Sequence, residues 1–216
     1  MKAQKAGQFL FLKNTAGAMP PFYGKLDHHR VHIIQQYEAD RLDWSLYDAI
    51  ILTTHSDQHH LLELTERFEA YLEMGGTVQF NGHVTQPFLP ELTRFVPLPS
   101  RGKNDLIVHR EANHPVFEGI DSNMLSFRKG VSGFYGRGMN PPPQNADIIN
   151  SVGPDHWPLD WIASRPSGGR IFMHAGNDIW GFLLFGSPQN LPFVQHFFDW
   201  LANSSNLKPS EMVGQS

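Results

Sequence analysis

A strand–helix–strand pattern over residues 47–84 constrains the fold of this chain more than any other feature. Residues 49–52 form a continuous apolar run with β-branched members, which is typical of a strand buried on both faces of a parallel sheet. Leucine and phenylalanine then recur at spacings of three and four between residues 61 and 72, as on one face of a helix. A glycine pair ends that helix, and residues 77–80 predict a second strand.

Polar side chains follow both strands at the point where each ends. His55 and Asp57 come after the first strand, and Asn81 and His83 come after the second. The carboxyl ends of consecutive parallel strands lie at one edge of a sheet, and open α/β sheets bind their ligands at that edge. We therefore expect these four side chains to lie near one another, although Asp57 is equally suited to capping the helix.

Further segments complete the predicted sheet. Strand patterns occupy residues 8–13, 31–37, 106–109, 147–152, 159–163 and 170–173, and an amphipathic helix occupies residues 191–202. The fold class predicted is α/β: a three-layer, flavodoxin-like open sheet, mostly parallel, with helices on both faces. We expect one domain over residues 1–203 and a polar tail over residues 204–216.

Two more predicted strands end in polar residues that should reach the same edge. Asn14 and Thr15 follow the first strand, and His174, Asn177 and Asp178 follow the strand at residues 170–173. For each residue there is a structural alternative, because Asn and Asp also satisfy turns and a buried His also bonds a backbone carbonyl. The convergence of several strand ends nevertheless predicts a ligand site.

Arg137 lies between two glycines in a loop rich in glycine and proline over residues 130–143. A planar guanidinium in such a loop suits an anionic ligand group. The same side chain could instead tie the loop to backbone carbonyls.

Composition excludes several functions. The 216 residues carry a formal charge of −4, with 40% hydrophobic and 18% charged residues, so no basic field is available for nucleic acid. The apolar run at residues 9–12 is too short for a membrane span or a signal segment. We expect a cytoplasmic protein, with neither nucleic acid nor membrane as a partner.

The chain has no cysteine and twelve histidines. Thiolate metal sites and thiolate nucleophiles are therefore excluded. His28, His29 and His32 form an HHxxH pattern, but His29 and His32 would point to opposite faces of a strand. The group formed by His55, His59 and His60 lies at a helix entry. We predict no metal and no cofactor, with a hydrolase using three histidines and one carboxylate as an alternative.

The chain resembles the class I glutamine amidotransferase-like superfamily, and within it the ThuA-like branch, in the order of its segments. These are YDAIIL, a helix ending in EMGGTVQFNGH, then NHPVFEGI, GGRIFMHAGND and a closing amphipathic helix. The resemblance covers most of residues 8–203.

Active members of that superfamily carry a nucleophilic cysteine at the sharp turn after the strand matched here by residues 77–80. The matching turn reads Asn81-Gly82-His83, with either Gly82 or His83 in the nucleophile position. Glutamine hydrolysis needs an activated thiolate. The resemblance therefore implies that glutamine amidotransferase activity has been lost.

The late catalytic histidine of active members corresponds to His174, with Asn177 and Asp178 in place of the usual acidic partner. ThuA-like members are associated with sugar utilisation. The resemblance thus implies a protein that binds or processes a small polar ligand such as a carbohydrate. In such a protein, His174, His83 and Asp178 are candidates for acid–base chemistry.

A protein of a different class is also compatible with this sequence. Some domains of this fold serve in assembly rather than chemistry, and the chain would then form a homo-oligomer or hold a partner. Exposed aromatic residues would mark that interface, and the candidates are Phe22, Tyr23, Phe134, Tyr135 and Trp180.

Overall fold

The computed structural model describes residues 6–16, 19–26, 28–128, 130–183 and 191–204, and its strands form one large sheet and two short two-stranded sheets. The strands are β1 Gln8–Lys13, β2 Arg30–Gln35, β3 Ala49–Leu52, β4 Thr77–Asn81, β5 Val96–Pro97, β6 Val108–Arg110, β7 Phe127–Arg128, β8 Val131–Ser132, β9 Gly138–Met139, β10 Asp147–Val152, β11 Trp157–Ser164 and β12 Arg170–His174.

The described residues also form four α-helices and five short 3-10 helices. The α-helices are α1 Gln58–Glu63, α2 Thr65–Glu73, α3 Ser122–Ser126 and α4 Leu191–Ser204, and the 3-10 helices are Gln36–Arg41, Trp44–Leu46, Lys103–Leu106, Pro115–Phe117 and Ile179–Leu183. No helix in the described part of the chain is both long and apolar enough to cross a membrane.

The large sheet has eight strands in the order β2-β1-β3-β4-β12-β11-β10-β6. Its first five strands are parallel to one another, and the last three pair antiparallel. This confirms a mixed α/β fold with a mostly parallel sheet. In the antiparallel part, β10 and β11 form a hairpin, and β6 extends it.

Both faces of β1, β3 and β12 are buried, whereas β2 lies at the edge of the sheet and is partly exposed. Phe9 and Phe11 of β1 belong to a core that includes α4, whereas Leu10 and Leu12 belong to a second core that includes α1 and α2. Alternate side chains of a strand point to opposite faces, so a strand covered on both sides reads as a continuous apolar run. All four side chains of β3 are buried accordingly.

Several bounds differ from the sequence prediction, and one predicted helix is divided. β2 ends at Gln35 and passes directly into a 3-10 helix, and β6 begins at Val108. The single helix predicted after Asp57 is two helices that meet at Leu64. There the Thr65 hydroxyl donates to the Leu62 carbonyl and lies 3.1 Å from the Phe88 carbonyl, a local pairing that competes with regular helix.

The closing helix was predicted within two residues of its observed end. α4 includes Ser204, so that residue belongs to the helix rather than to the predicted tail. Residues 205–216 of that tail lie outside the described residues.

Candidate functional site

The carboxyl ends of β1, β3, β4 and β12 lie at one edge of the sheet. Leu12 is level with Leu52 in the register, Leu52 is level with Phe80, and His174 is level with Asn81. The residues that follow each strand therefore emerge together, as the strand–helix–strand pattern predicted.

A cleft of about 240 Å³ opens at this edge beyond the ends of β1 and β3. We call it the switch-point cleft, because β2 lies on one side of β1 and β3 on the other. The order in which successive strands are added to the sheet therefore reverses at β1. Its lining includes three of the predicted residues, Thr15, His55 and Asp178. The other lining residues are Phe11, Lys13, Met19, Pro20, Pro21, Thr53, Trp180 and Gly181.

Asp178 is the acidic group of the switch-point cleft. Its carboxylate accepts hydrogen bonds from the backbone N–H of Thr54 at 2.7 Å and from the Thr54 hydroxyl at 2.9 Å. Burial raises the pKa of Asp178, because a low-dielectric surrounding disfavours the charged form. The side chain is thus held in one position at the wall of the cleft.

The His55 backbone is fixed while its side chain is exposed. Its N–H donates to the Thr53 hydroxyl at 3.1 Å, and its carbonyl accepts from the amide of Asn14 at 3.0 Å. Asn14 therefore tethers the loop after β3 to the end of β1. Thr15 is exposed, and its carbonyl lies 3.5 Å from the Gln35 amide nitrogen.

Asp57 serves the fold rather than the switch-point cleft. Its carboxylate accepts from the N–H groups of His59 and His60 and so caps α1. The Tyr37 hydroxyl donates to its other oxygen at 2.8 Å, and this hydrogen bond lowers the pKa of Asp57.

Asn81 is fully buried and its hydrogen-bonding groups are used within the protein. Its amide nitrogen lies 3.1 Å from both the Leu52 carbonyl and the Gln79 side-chain oxygen. Its own oxygen accepts from the N–H of Ile179 at 3.4 Å. Asn81 consequently joins β3, β4 and the 3-10 helix after β12.

The turn after Asn81 contains a left-handed glycine and an exposed histidine. Gly82 has φ 118°, which side-chain-bearing residues rarely adopt. His83 is exposed and stacks on Phe95, with ring centroids 3.5 Å apart and planes inclined by 12°. Its partial burial lowers the pKa of His83, and His174 and Arg101 lower it further.

His174 is completely buried and contacts a carboxylate that the sequence analysis did not single out. Its Nδ1 lies 2.6 Å from Oδ1 of Asp160. The second oxygen of Asp160 accepts from the Tyr135 hydroxyl at 2.8 Å and from the Asn150 amide at 2.5 Å. The sequence signal that could have identified Asp160 is its position as an acidic residue inside the apolar strand WPLDWIA. A fully buried Asp requires partners.

The other ring nitrogen of His174 has no hydrogen-bond partner among the described residues. A carboxylate oxygen accepts hydrogen bonds, so Nδ1 of His174 is the donor to Asp160 when that carboxyl is ionised. A Cβ at Gly176 would lie 2.6 Å from this Nε2 and 1.7 Å from the Tyr135 carbonyl oxygen. His174 is thus sealed beneath Gly176 and the Tyr135 backbone.

Arg137 and Asn177 hold the glycine-rich loop in place. Nε of Arg137 donates to the Gly133 carbonyl at 2.9 Å, and the Asn177 amide donates to the Phe134 carbonyl at 3.0 Å. Neither residue is among those that line the switch-point cleft.

The candidate interface aromatics do not form one exposed group. Phe22, Tyr135 and Trp180 are buried, whereas Tyr23 and Phe134 are 53% and 36% exposed. Tyr135 packs on His174 with ring centroids 4.5 Å apart, and Trp180 borders the switch-point cleft. These two rings therefore cover the carboxyl edge.

One histidine and carboxylate group in the described part of the chain has ligand atoms close enough for a metal ion: His28, His29 and Asp199, whose atoms lie within 4.8 Å of one another. The Gly7 N–H donates to Nδ1 of His29 at 3.0 Å, and Nε2 of His29 lies 2.8 Å from Asp199. Because Nδ1 accepts, the ring proton is on Nε2 and occupies the atom that a metal would need. The two histidines precede β2 and Asp199 lies on α4, away from the carboxyl edge.

The remaining clustered histidines pair with single side chains. Nδ1 of His32 lies 2.6 Å from the Tyr47 hydroxyl, and Nδ1 of His60 lies 3.1 Å from Glu63.

Replacing His174 by Ala is expected to lower the free energy of unfolding by about 3 kcal/mol, because one oxygen of the buried Asp160 carboxylate loses its donor. His83→Ala is the matched control. It removes an exposed ring stacked on Phe95 and should cost about 1 kcal/mol or less. Urea unfolding followed by circular dichroism measures both, and equal losses in the two variants would contradict the structural role of His174.

Asp178→Asn is expected to stabilise the protein at pH 7, because the pKa of Asp178 is raised by burial and the ionised side chain therefore costs folding free energy. Asparagine keeps an oxygen that accepts from Thr54. The cost is absent below about pH 4 and grows as the pH rises to the raised pKa of Asp178. Unfolding measured from pH 3.5 to pH 8 should show a widening difference between variant and wild type, and a constant difference would be inconsistent with this assignment.

No known family model matches the sequence, and no curated protein matches it. Among solved structures, the chain is similar to one titled "mmIFT52 N-terminal domain", with a TM-score of 0.50 and 11% sequence identity. The similarity covers 90% of this chain and 97% of that one. At this identity the likeness shows a shared fold and carries no information about function.

Proposed function

We propose that this chain binds a small polar ligand, with carbohydrates as the favoured class, in the switch-point cleft, and that it does not hydrolyse glutamine. The observation that carries the proposal is the position of Asp178, His55 and Thr53 around a cleft beyond the carboxyl ends of β1 and β3. In open α/β sheets this position is where ligands bind.

The lining of the switch-point cleft suits a hydroxyl-rich ligand. The carboxylate of Asp178 accepts charge-assisted hydrogen bonds from hydroxyl groups. Thr53 and His55 add groups that both donate and accept, and Phe11 and Trp180 supply apolar surface for the carbon skeleton. Few polar groups on a mostly apolar wall are typical of small-molecule sites.

The order of the parallel strands supports a flavodoxin-like arrangement as the finer description of the fold. When the five parallel strands β1, β2, β3, β4 and β12 are numbered 1 to 5 by their order along the sequence, their order across the sheet is 2-1-3-4-5. This is the strand order of flavodoxin-like sheets. With the two cores on opposite faces, this order favours the three-layer fold that the resemblance to the glutamine amidotransferase-like superfamily implies.

Binding is favoured over catalysis by the groups at the carboxyl edge. The turn after β4 has Gly82 in the left-handed conformation, and glycine carries no nucleophile. His174 is buried and bonded to Asp160, with its free nitrogen beneath Gly176. A general base must come within hydrogen-bond reach of its substrate, and His174 does not border the switch-point cleft.

An assembly function receives less support from the same structure. Two of the five candidate aromatics cover the carboxyl edge, as a ligand site requires. Tyr23 and Phe134 are exposed, but they come from different segments of the chain.

His55→Ala is expected to weaken monosaccharide binding about tenfold, the effect of losing one well-placed hydrogen bond or ring contact in a site. The probes are glucose, galactose, xylose and sorbitol, titrated into uniformly ¹⁵N-labelled protein and followed by amide chemical shifts at residues 53–55 and 176–178. His59→Ala is the matched control, because His59 is exposed on α1 and does not line the switch-point cleft.

The two variants also separate the proposal from its alternatives. Equal weakening by both variants, or no saturable shift at the carboxyl edge with any of the four probes, would overturn carbohydrate binding in this cleft. Exposed side chains were chosen for both variants, so a loss of folding should not obscure the result.

A further inference from the structure

A second and larger cavity lies at the end of β6, outside the proposed ligand site. It has a volume of about 600 Å³ and shares no lining residue with the switch-point cleft. We call it the Arg110 cavity. Its lining includes Arg110, Asn113, His114, Phe117, Ile120 and Ser122.

Arg110 is held in a fixed orientation within this cavity. Its guanidinium carbon lies 4.4 Å from the centre of the Phe117 ring, and one terminal nitrogen donates to the Ile120 carbonyl at 3.2 Å. A guanidinium has five N–H donors, and stacking on an aromatic face leaves its edge free to bind in the ring plane. The arginine is therefore positioned before any ligand arrives.

No carboxylate of the described residues lies within ion-pair distance of Arg110, although the group is partly removed from water. Burial lowers the pKa of Arg110, because a partly desolvated guanidinium is less stable in its charged form. Asp160 acts on it only through space, because the oxygens of Asp160 already accept from Tyr135, Asn150 and His174. A half-buried cation without a contacting anion is a place where a ligand anion gains free energy.

His114 contributes a neutral donor to the same cavity. Burial lowers the pKa of His114 to about 4, so the ring is uncharged at neutral pH. Its Nδ1 accepts from the Val116 N–H at 3.4 Å, which leaves the ring proton on Nε2. Two acidic residues, Glu118 and Asp121, also border the cavity. Glu118 is exposed, and Asp121 accepts the N–H of Asn123 at the start of α3.

We propose that the Arg110 cavity binds a small organic carboxylate with an apolar body. The guanidinium edge of Arg110 matches two carboxylate oxygens, while Pro115, Phe117 and Ile120 provide apolar surface for the rest of the ligand. A compact inorganic anion would satisfy the guanidinium and leave this apolar lining uncovered. The site is independent of the switch-point cleft, so either can fail without the other.

Benzoate is the probe, and benzamide is its uncharged isostere. In amide chemical-shift titrations of the full chain, benzoate should give saturable shifts at residues 113–122. Benzamide should bind at least about tenfold more weakly, because it lacks the charge that strengthens hydrogen bonds to a guanidinium. This comparison uses the wild-type protein and does not depend on any variant folding.

Variants of Arg110 test whether its guanidinium is the group that binds benzoate. Arg110→Leu should lose the benzoate shifts, and Arg110→Lys should retain weakened binding because an ammonium lacks the planar fork. Arg94→Leu is the matched control, since Arg94 is exposed and outside the cavity. Equal binding of benzoate and benzamide, undiminished binding to a folded Arg110→Leu variant, or displacement of benzoate by an equal concentration of inorganic phosphate would each overturn the proposal.

Discussion

Burial of both faces of β1, β3 and β12 determines where polar groups can lie in this structure. Because these strands pack on one side in the core that includes α4 and on the other in the core that includes α1 and α2, apolar side chains fill their interiors. Polar groups are then left at the strand ends, or they must be satisfied by neighbours inside the core. The carboxyl edge is polar for this reason, and the exceptions within the sheet are the Asp160 network and the buried polar residues Thr77, Gln79 and Asn81 of β4.

The polar residues at the carboxyl edge separate into two functional groups. Asn81, Asp57, Arg137 and Asn177 use their hydrogen bonds to join strands, cap a helix or hold a loop. Thr15, His55 and Asp178 border the switch-point cleft instead. Asp178 belongs to both groups in part, because Thr54 fixes its carboxylate where a ligand can reach it.

Much of the fold could be predicted from the sequence because its signals are local. The strand–helix–strand pattern around residues 47–84 and the strand at residues 170–173 follow from apolar runs and glycine punctuation within short windows. Asp160 and Arg110 could not be assigned in the same way. Asp160 meets His174 and Tyr135 from 14 and 25 residues away, and Arg110 meets Phe117 only because β6 leads into a 3-10 helix. Contacts of this kind depend on how the strands assemble, which local periodicity does not encode.

We propose that the switch-point cleft, rather than the turn after β4, is the ligand site of this protein. A crystal soaked with the monosaccharide that binds best in solution tests it most directly. The account predicts density for the sugar between Thr53, His55 and Asp178, with a hydroxyl within hydrogen-bond distance of the Asp178 carboxylate. Density against His83 at the Asn81-Gly82-His83 turn, with the cleft empty at a saturating sugar concentration, would contradict it.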